Sequence, residues 1–222
     1  MDRARVKICG LTERDALDAA VAAGAAYVGF VFFPRSPRNV EPPRAAALAG
    51  AVPAGVAKVG LLVDPSDADL DAVLSAVPLD VIQLHGGETP ARAAEVKART
   101  GLPVMKAVGL RDRADLAALN LWAGAADQVL VDAKPPEGAD LPGGNGLAFD
   151  WTLLSDRRWF GPWMLAGGLT PGNVAEAMAR TNARQVDVSS GVESAPGVKD
   201  AALVRRFIAA AEAPVAAVPR LA

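Results

Sequence analysis

The 222 residues carry 23 basic and 25 acidic side chains, a formal charge of −2, 51% apolar residues, one cysteine and one histidine. This ordinary globular balance suits one domain with a sizeable core and offers no basic field for nucleic acid or anionic lipid. A single cysteine excludes an internal disulfide framework and a Cys-pair zinc site, and a single histidine excludes a His-rich metal site. The longest apolar run, 19–33, is interrupted by Gly24 and is shorter than the roughly 18–20 residues of a bilayer span. The first residues lack the layout of a signal peptide, so the expectation is a soluble cytoplasmic protein, with no membrane or nucleic-acid partner.

Val6-Lys7-Ile8-Cys9-Gly10 reads as a strand ending in a turn; Thr12 then caps a helix, with Asp15 as the acidic partner of a capping box. Ala16, Leu17, Ala20, Val21 and Gly24 recur at helical spacing. Residues 27–33 are β-branched and aromatic, a buried strand, and Pro34-Arg35-Ser36-Pro37-Arg38 must be loop. A second helix spans 42–51, a third strand 56–63, and Pro65 and Ser66 open a third helix. The fourth strand, 80–84, ends at His85-Gly86-Gly87, and Thr89-Pro90 begins a helix that stops at Gly101. The fifth strand, 104–108, precedes a helix through Leu116 and Leu119; 129–132 is the sixth strand. Residues 133–146 are rich in Pro and Gly and have no period, the mark of a long functional or mobile loop. A short helix follows at 151–154, anchored by Trp151. The seventh strand, 163–166, ends at Gly167-Gly168, and Thr170-Pro171 starts another helix. The eighth, 186–188, ends at Ser189-Ser190-Gly191; 198–211 is the last helix and 214–222 a frayed tail.

Eight strand-then-helix units demand a parallel sheet, and their number favours a single-domain α/β (β/α)8 barrel, the TIM-barrel architecture. The competing doubly wound open sheet usually carries a G-x-G-x-x-G turn after its first strand, where this chain has Cys9-Gly10-Leu11-Thr12. In a barrel the chemistry sits at the C-terminal strand ends. Those ends gather Lys7 and Cys9, Arg38, Asp64, Gln83 and His85, Lys106, Asp132, and Asp187. The Gly167-Gly168 and Ser190-Gly191 turns follow the last two strands, the usual phosphate cradle of such barrels; alone, either turn is equally a tight bend. Cys9 reads as a general base or nucleophile, with Lys7 one pleat away to favour its thiolate, or as a small buried apolar residue. Asp132 suits a general acid or a loop anchor, and Asp187 a polar network more than catalysis. Arg38, among rigid prolines, suits a fixed fork for a carboxylate or a solvated surface site, with Arg35 as its rival. His85 reads as a lining or structural residue, and no metal-ligand spacing is present.

Taken together, Lys7-Ile8-Cys9-Gly10-Leu11-Thr12, Gly29-Phe30-Val31-Phe32, Ser36-Pro37-Arg38, Gln83-Leu84-His85-Gly86, Val131-Asp132-Ala133, Gly143-Gly144-Asn145-Gly146, Phe149-Asp150-Trp151, Leu165-Ala166-Gly167-Gly168-Leu169 and Asp187-Val188-Ser189-Ser190-Gly191-Val192-Glu193 resemble the phosphoribosylanthranilate isomerases of tryptophan synthesis, in order and over essentially the whole chain. The resemblance implies an Amadori rearrangement of a small phosphosugar with no metal or coenzyme, by a monomer or homodimer. It implies that Asp132 protonates the furanose ring oxygen and that Cys9 removes the C2′ proton. Arg38 would hold the anthranilate carboxylate, and Gly167, Gly168, Ser190 and Gly191 the phosphate. Lys7, Gln83, His85, Lys106 and Asp187 would line the site. Two other readings are an isomerase of the histidine-pathway aminoaldose, alone or with both substrates, and a phosphosugar-binding barrel without turnover. The first of these families uses an aspartate where this chain has Cys9.

Overall fold

A computed structural model describes residues 3–136, 138, 141–144, 146–155 and 157–213. Eight parallel strands close into a barrel: β1 (Arg5–Cys9), β2 (Tyr27–Phe32), β3 (Ala57–Leu62), β4 (Val81–Leu84), β5 (Val104–Leu110), β6 (Gln128–Ala133), β7 (Trp163–Leu165) and β8 (Gln185–Val188). Parallel neighbours need crossovers, and the helices supply them. They are α1 (Arg14–Ala23), α2 (Pro42–Ala49), α3 (Asp67–Ala76), α4 (Pro90–Thr100), α5 (Leu116–Asn120), α6 (Val174–Thr181) and α7 (Ala201–Glu212). Between β6 and β7 the described residues hold a 3₁₀ turn, Trp151–Leu154, and no α-helix, so among the described residues the eight-unit pattern is complete in strands and one α-helix short. Trp151 packs partly buried against the main core, as an anchor of that segment should.

Strand parity builds two cores. Tyr27, Val59, Met105, Ala107, Leu130, Met164 and Ala166 pack together inside the barrel. The alternate positions, among them Val6, Ile8, Val28, Ile82, Val131 and Val186, meet the helices in the larger outer core. Cys9 shares a small inner cluster with Val31 and Leu61, one layer above. The barrel closes where β1 meets β8, with Lys7 paired in register to Asp187.

Local signals in the sequence held at several helix ends. Ser66 caps α3 in a reciprocal capping box with Asp69, Thr89 caps α4 by accepting from the Arg92 N–H, and Gly101 ends α4 in the left-handed conformation. Others shifted. Glu13, not Thr12, occupies the N-cap of α1, without a side-chain bond, and the Asp15 capping box does not form. The helix expected at Thr170-Pro171 begins at Val174: Asn173 accepts from the Thr170 N–H at 2.7 Å and donates to the Gly168 carbonyl at 3.0 Å, tying those residues into a turn. The last helix begins at Ala201 rather than at 198, because Val198 and Lys199 form a strand. That strand, β10 (Val198–Lys199), pairs with β9 (Glu193–Ala195) in an antiparallel hairpin, and Asp200 then caps α7. The expected tail, 214–222, lies outside the described residues. Among the described residues no helix is long and apolar enough to cross a membrane.

Candidate active site

A cavity opens at the C-terminal strand ends. Its wall takes Cys9 from β1, Val31 from β2, Arg38 and Ser36 from the following loop, Leu61 from β3 and His85 after β4. It continues through Asp132 and Ala133 of β6, the residues after β7 from Ala166 to Leu169, and Asp187 to Ser190 at the end of β8. Leu141 to Gly144, Gly146 and Leu147 of the long β6 loop complete it. Among the described residues no group of three or more His, Cys, Asp or Glu side chains is placed to hold a metal ion.

The thiol side is built on β1 parity. Lys7 and Cys9 both point inward, one pleat apart, and Lys7 donates to Asp187 at 3.0 Å. Gly29 on the neighbouring strand makes the room: a Cβ there would stand 3.0 Å from the Cys9 sulfur and 3.3 Å from Lys7 Cε. Burial pushes the Cys9 thiol above its ordinary value and the Asp187 carboxylate adds to that, while the Lys7 and Lys199 ammonium groups pull it back without prevailing. Burial disfavours the Lys7 ammonium as well, but Asp187 and Cys9 overcome it and hold Lys7 above the usual lysine value.

On the acid side, Asp132 Oδ1 accepts its neighbour's amide, Ala133 N–H, at 2.8 Å, and Oδ2 lies 3.4 Å from His85 Nε2. The Gln83 side-chain amide lies 2.9 Å from His85 Nδ1 and fixes the ring with Nε2 toward Asp132. Gly143 of the β6 loop crosses directly over this pair. A Cβ there would stand 2.4 Å from His85 Nε2 and 2.8 Å from Asp132 Oδ2, so only glycine passes without moving them.

Arg38 is buried rather than solvated. Its Nε and Nη2 donate to Glu193 at 2.8 and 2.9 Å, and Nη2 also reaches the Gly144 carbonyl at 3.3 Å. Glu193 in turn accepts from Lys199 Nζ at 2.6 Å. Burial works to raise the Glu193 carboxyl, but Arg38 and Lys199 outweigh it and bring its pKa down to about 2. Gly167 and Gly168, both left-handed at φ 83° and 62°, and Ser190 border the cavity. Gly168 presses on the β6 loop, where a Cβ would meet the Leu147 carbonyl at 2.7 Å. Gly191 packs behind the wall, its Cβ position 1.9 Å from the Leu169 carbonyl oxygen.

Of the residues expected to line the site, His85 and Asp187 do so. Lys7 and Gln83 point inward but lie one layer down, beneath Cys9 and His85, fully buried. Lys106 is elsewhere. Its parity is opposite to inward Met105 and Ala107, so it points out of the barrel, donating to Glu88 at 2.6 Å and the Gly86 carbonyl at 2.7 Å and lying over the Trp122 ring. Glu193, Lys199 and the glycines over Asp132 and Arg38 belong to the site without having been given a part from sequence. Glu193 and Gly143 stand in the quoted motifs, but nothing local says what they touch.

The arrangement joins a thiol, a carboxyl with an imidazole, and an arginine around one cavity bordered by glycine turns. The chain as a whole is similar to known proteins. The family model described as N-(5'-phosphoribosyl)anthranilate (PRA) isomerase matches residues 6–210. The N-(5'-phosphoribosyl)anthranilate isomerase of Paracoccus denitrificans (strain Pd 1222) is 70% identical over 210 residues, 95% of this chain and 98% of its own. The crystal structure of phosphoribosyl anthranilate isomerase from Thermotoga maritima superposes with a TM-score of 0.84 at 37% identity, over 94% of this chain and 98% of that one. A phosphoribosyl anthranilate isomerase in complex with reduced 1-(o-carboxyphenylamino)-1-deoxyribulose 5-phosphate superposes with a TM-score of 0.79 at 36% identity, over the same 94% and 98%. With the barrel, the strand-end residues and these likenesses in agreement over nearly the full length, the chain belongs to the N-(5'-phosphoribosyl)anthranilate isomerase family.

Proposed function

We infer that the chain isomerises N-(5-phosphoribosyl)anthranilate to 1-(2-carboxyphenylamino)-1-deoxyribulose 5-phosphate, as a cytoplasmic monomer or homodimer that needs no metal or coenzyme. The observation that carries this reading is that Cys9 and Asp132 border one cavity together with Arg38, Gly167, Gly168 and Ser190. Asp132 gives a proton to the ring oxygen as the C1′–O bond breaks, and the anilino nitrogen lone pair forms the iminium. The Cys9 thiolate takes the C2′ proton, the electron pair closes to the enolamine, and tautomerisation yields the ketone. Tautomerisation removes the C2′ hydroxyl proton and adds one at C1′, so no atom is gained or lost; Asp132 ends as carboxylate and Cys9 as thiol, and one proton passes from thiol to carboxylate to reset them. Arg38 meets the carboxylate, and the turns at Gly167-Gly168 and Ser190-Gly191 meet the phosphate. Binding at both ends holds the sugar between the two groups that act on it. Lys7 and Asp187 set the charge beside the thiol, and His85, held from one layer down by Gln83, orients the carboxyl.

Steady-state turnover tests the roles. Cys9→Ala and Asp132→Asn should each lower kcat by about 10²–10⁴, the usual worth of a positioned acid or base, with the circular dichroism spectrum unchanged. Near-normal kcat in either variant removes that residue from the mechanism. Growth of a tryptophan auxotroph that lacks only this step reads the activity in a cell: rescue by the parent chain and none by Cys9→Ala is the expected pair.

A further inference from the structure

Glu193 is an anion set against the arginine that is meant to receive an anion. It accepts from Arg38 Nε at 2.8 Å and Nη2 at 2.9 Å, and from the Gly197 N–H at 3.2 Å. An isolated Arg–Glu pair would be neutral and would offer a carboxylate little. The third member corrects this. Lys199 Nζ donates to Glu193 at 2.6 Å, to the Ser189 carbonyl at 3.0 Å and to Ser189 Oγ at 3.1 Å, three acceptors for the three hydrogens of an ammonium. The side chains of Arg38, Glu193 and Lys199 are 7%, 4% and 1% exposed, so water screens none of them well. Burial, and less so Arg38, pull the Lys199 ammonium below the ordinary lysine value while Glu193 opposes them; its three acceptors are those of a protonated amine. With Lys199 protonated, two cations and one carboxylate leave one positive charge in excess. The adjoining Lys7–Asp187 pair is neutral and the Cys9 thiol is uncharged when protonated, so the count stands. Only Arg38 of the three borders the cavity. Its Nε and Nη2 are occupied by Glu193 and Gly144, which leaves Nη1 as the donor edge for a ligand.

We propose that Glu193 and Lys199 are positioning residues for Arg38: Glu193 locks the guanidinium, and Lys199 cancels the charge of Glu193, so that the cluster acts as a rigid monocation toward the substrate carboxylate. The proposal rests on the reading of Arg38 under Proposed function. It separates charge from geometry, since Lys199 touches no ligand and would act only by the count.

The test is the steady-state KM for N-(5-phosphoribosyl)anthranilate in the parent chain, Lys199→Met, Glu193→Gln, the double variant and Lys199→Arg. Lys199→Met takes the cluster to zero and should raise KM about tenfold, with a smaller change in kcat. The double variant returns the count to one, and Gln keeps an acceptor for Arg38 Nε, so KM should fall back to within about threefold of the parent. Lys199→Arg should keep the parent KM. A parent KM in Lys199→Met, or a double variant as weak as Lys199→Met, overturns the proposal and assigns the cluster to holding the β9–β10 hairpin. If Lys199→Met does not fold, Lys199→Gln takes its place in the same comparison. A parent chain without turnover overturns the functional reading and this inference with it, whereas an active parent with the wrong KM pattern overturns this inference alone.

Discussion

Two buried lysine–carboxylate pairs stand on strands of the same barrel. Lys7 within β1 meets Asp187 at 3.0 Å, and Lys106 within β5 meets Glu88 at 2.6 Å. Burial and charge are alike; the direction of the strand pleat is not. Lys7 faces inward beneath Cys9, where its charge bears on the thiol. Lys106 faces outward against Trp122, where its charge holds the loop after β4 through the Gly86 carbonyl and the Glu88 carboxylate, which also accepts the Asp64 and Gly86 amides. The same chemical pair is thus electrostatic support for a reacting atom in one place and a loop fastener in the other.

The sharpest way to break this comparison is Lys7→Met. It leaves Asp187 unpaired beside Cys9, and loss of the close cation that pulls the thiol pKa down should raise it further. At neutral pH kcat/KM should then fall about 10–10³-fold, and the rate of Cys9 alkylation should fall with it; unchanged alkylation would mean that the ammonium does not act on the sulfur. Lys106→Met should do the opposite. Denaturant unfolding should show a loss of about 3–5 kcal/mol, most of it recovered when Glu88→Gln is added, while kcat at 25 °C stays within about twofold. A large fall in kcat for Lys106→Met would erase the distinction between the two pairs. The smallest effect is in the parent chain itself. Because burial holds the Cys9 thiol above its ordinary 9.0, the rate of Cys9 alkylation, which reads the thiolate alone, should still be climbing as pH passes 9. An alkylation rate already level near pH 7 would contradict a thiol held up by burial.

The pairs also show what could be read in advance. The eight strands were legible as short apolar runs, and the barrel followed from their number. Cys9, Asp132, Arg38 and His85 were legible because strand ends are where such barrels carry chemistry. The sequence puts Lys106 close to a strand end, but its parity, opposite to inward-facing Met105 and Ala107, turns it out of the barrel. Glu193 and Lys199 are illegible for a different reason. Their partner Arg38 lies 155 residues from Glu193, and Val198-Lys199 reads as the start of a helix, whereas the hairpin folds the lysine back. Gly143 and Gly144 looked like ordinary loop glycines; that a Cβ would strike His85 and Arg38 depends on where a distant loop comes to rest.

The seam between β1 and β8 has a consequence in time. Asp187 lies 180 residues after the Lys7 it faces, and the Ser189 hydroxyl that donates to the Cys9 carbonyl at 3.1 Å lies 180 residues after Cys9. Contacts of such long separation form slowly, after shorter loops have closed. The thiol therefore gains its lysine–aspartate neighbours only once β8 has joined the barrel, and Arg38 gains Glu193 only with the hairpin that follows. A barrel truncated before β8 would carry the cysteine without the surroundings that place it for catalysis.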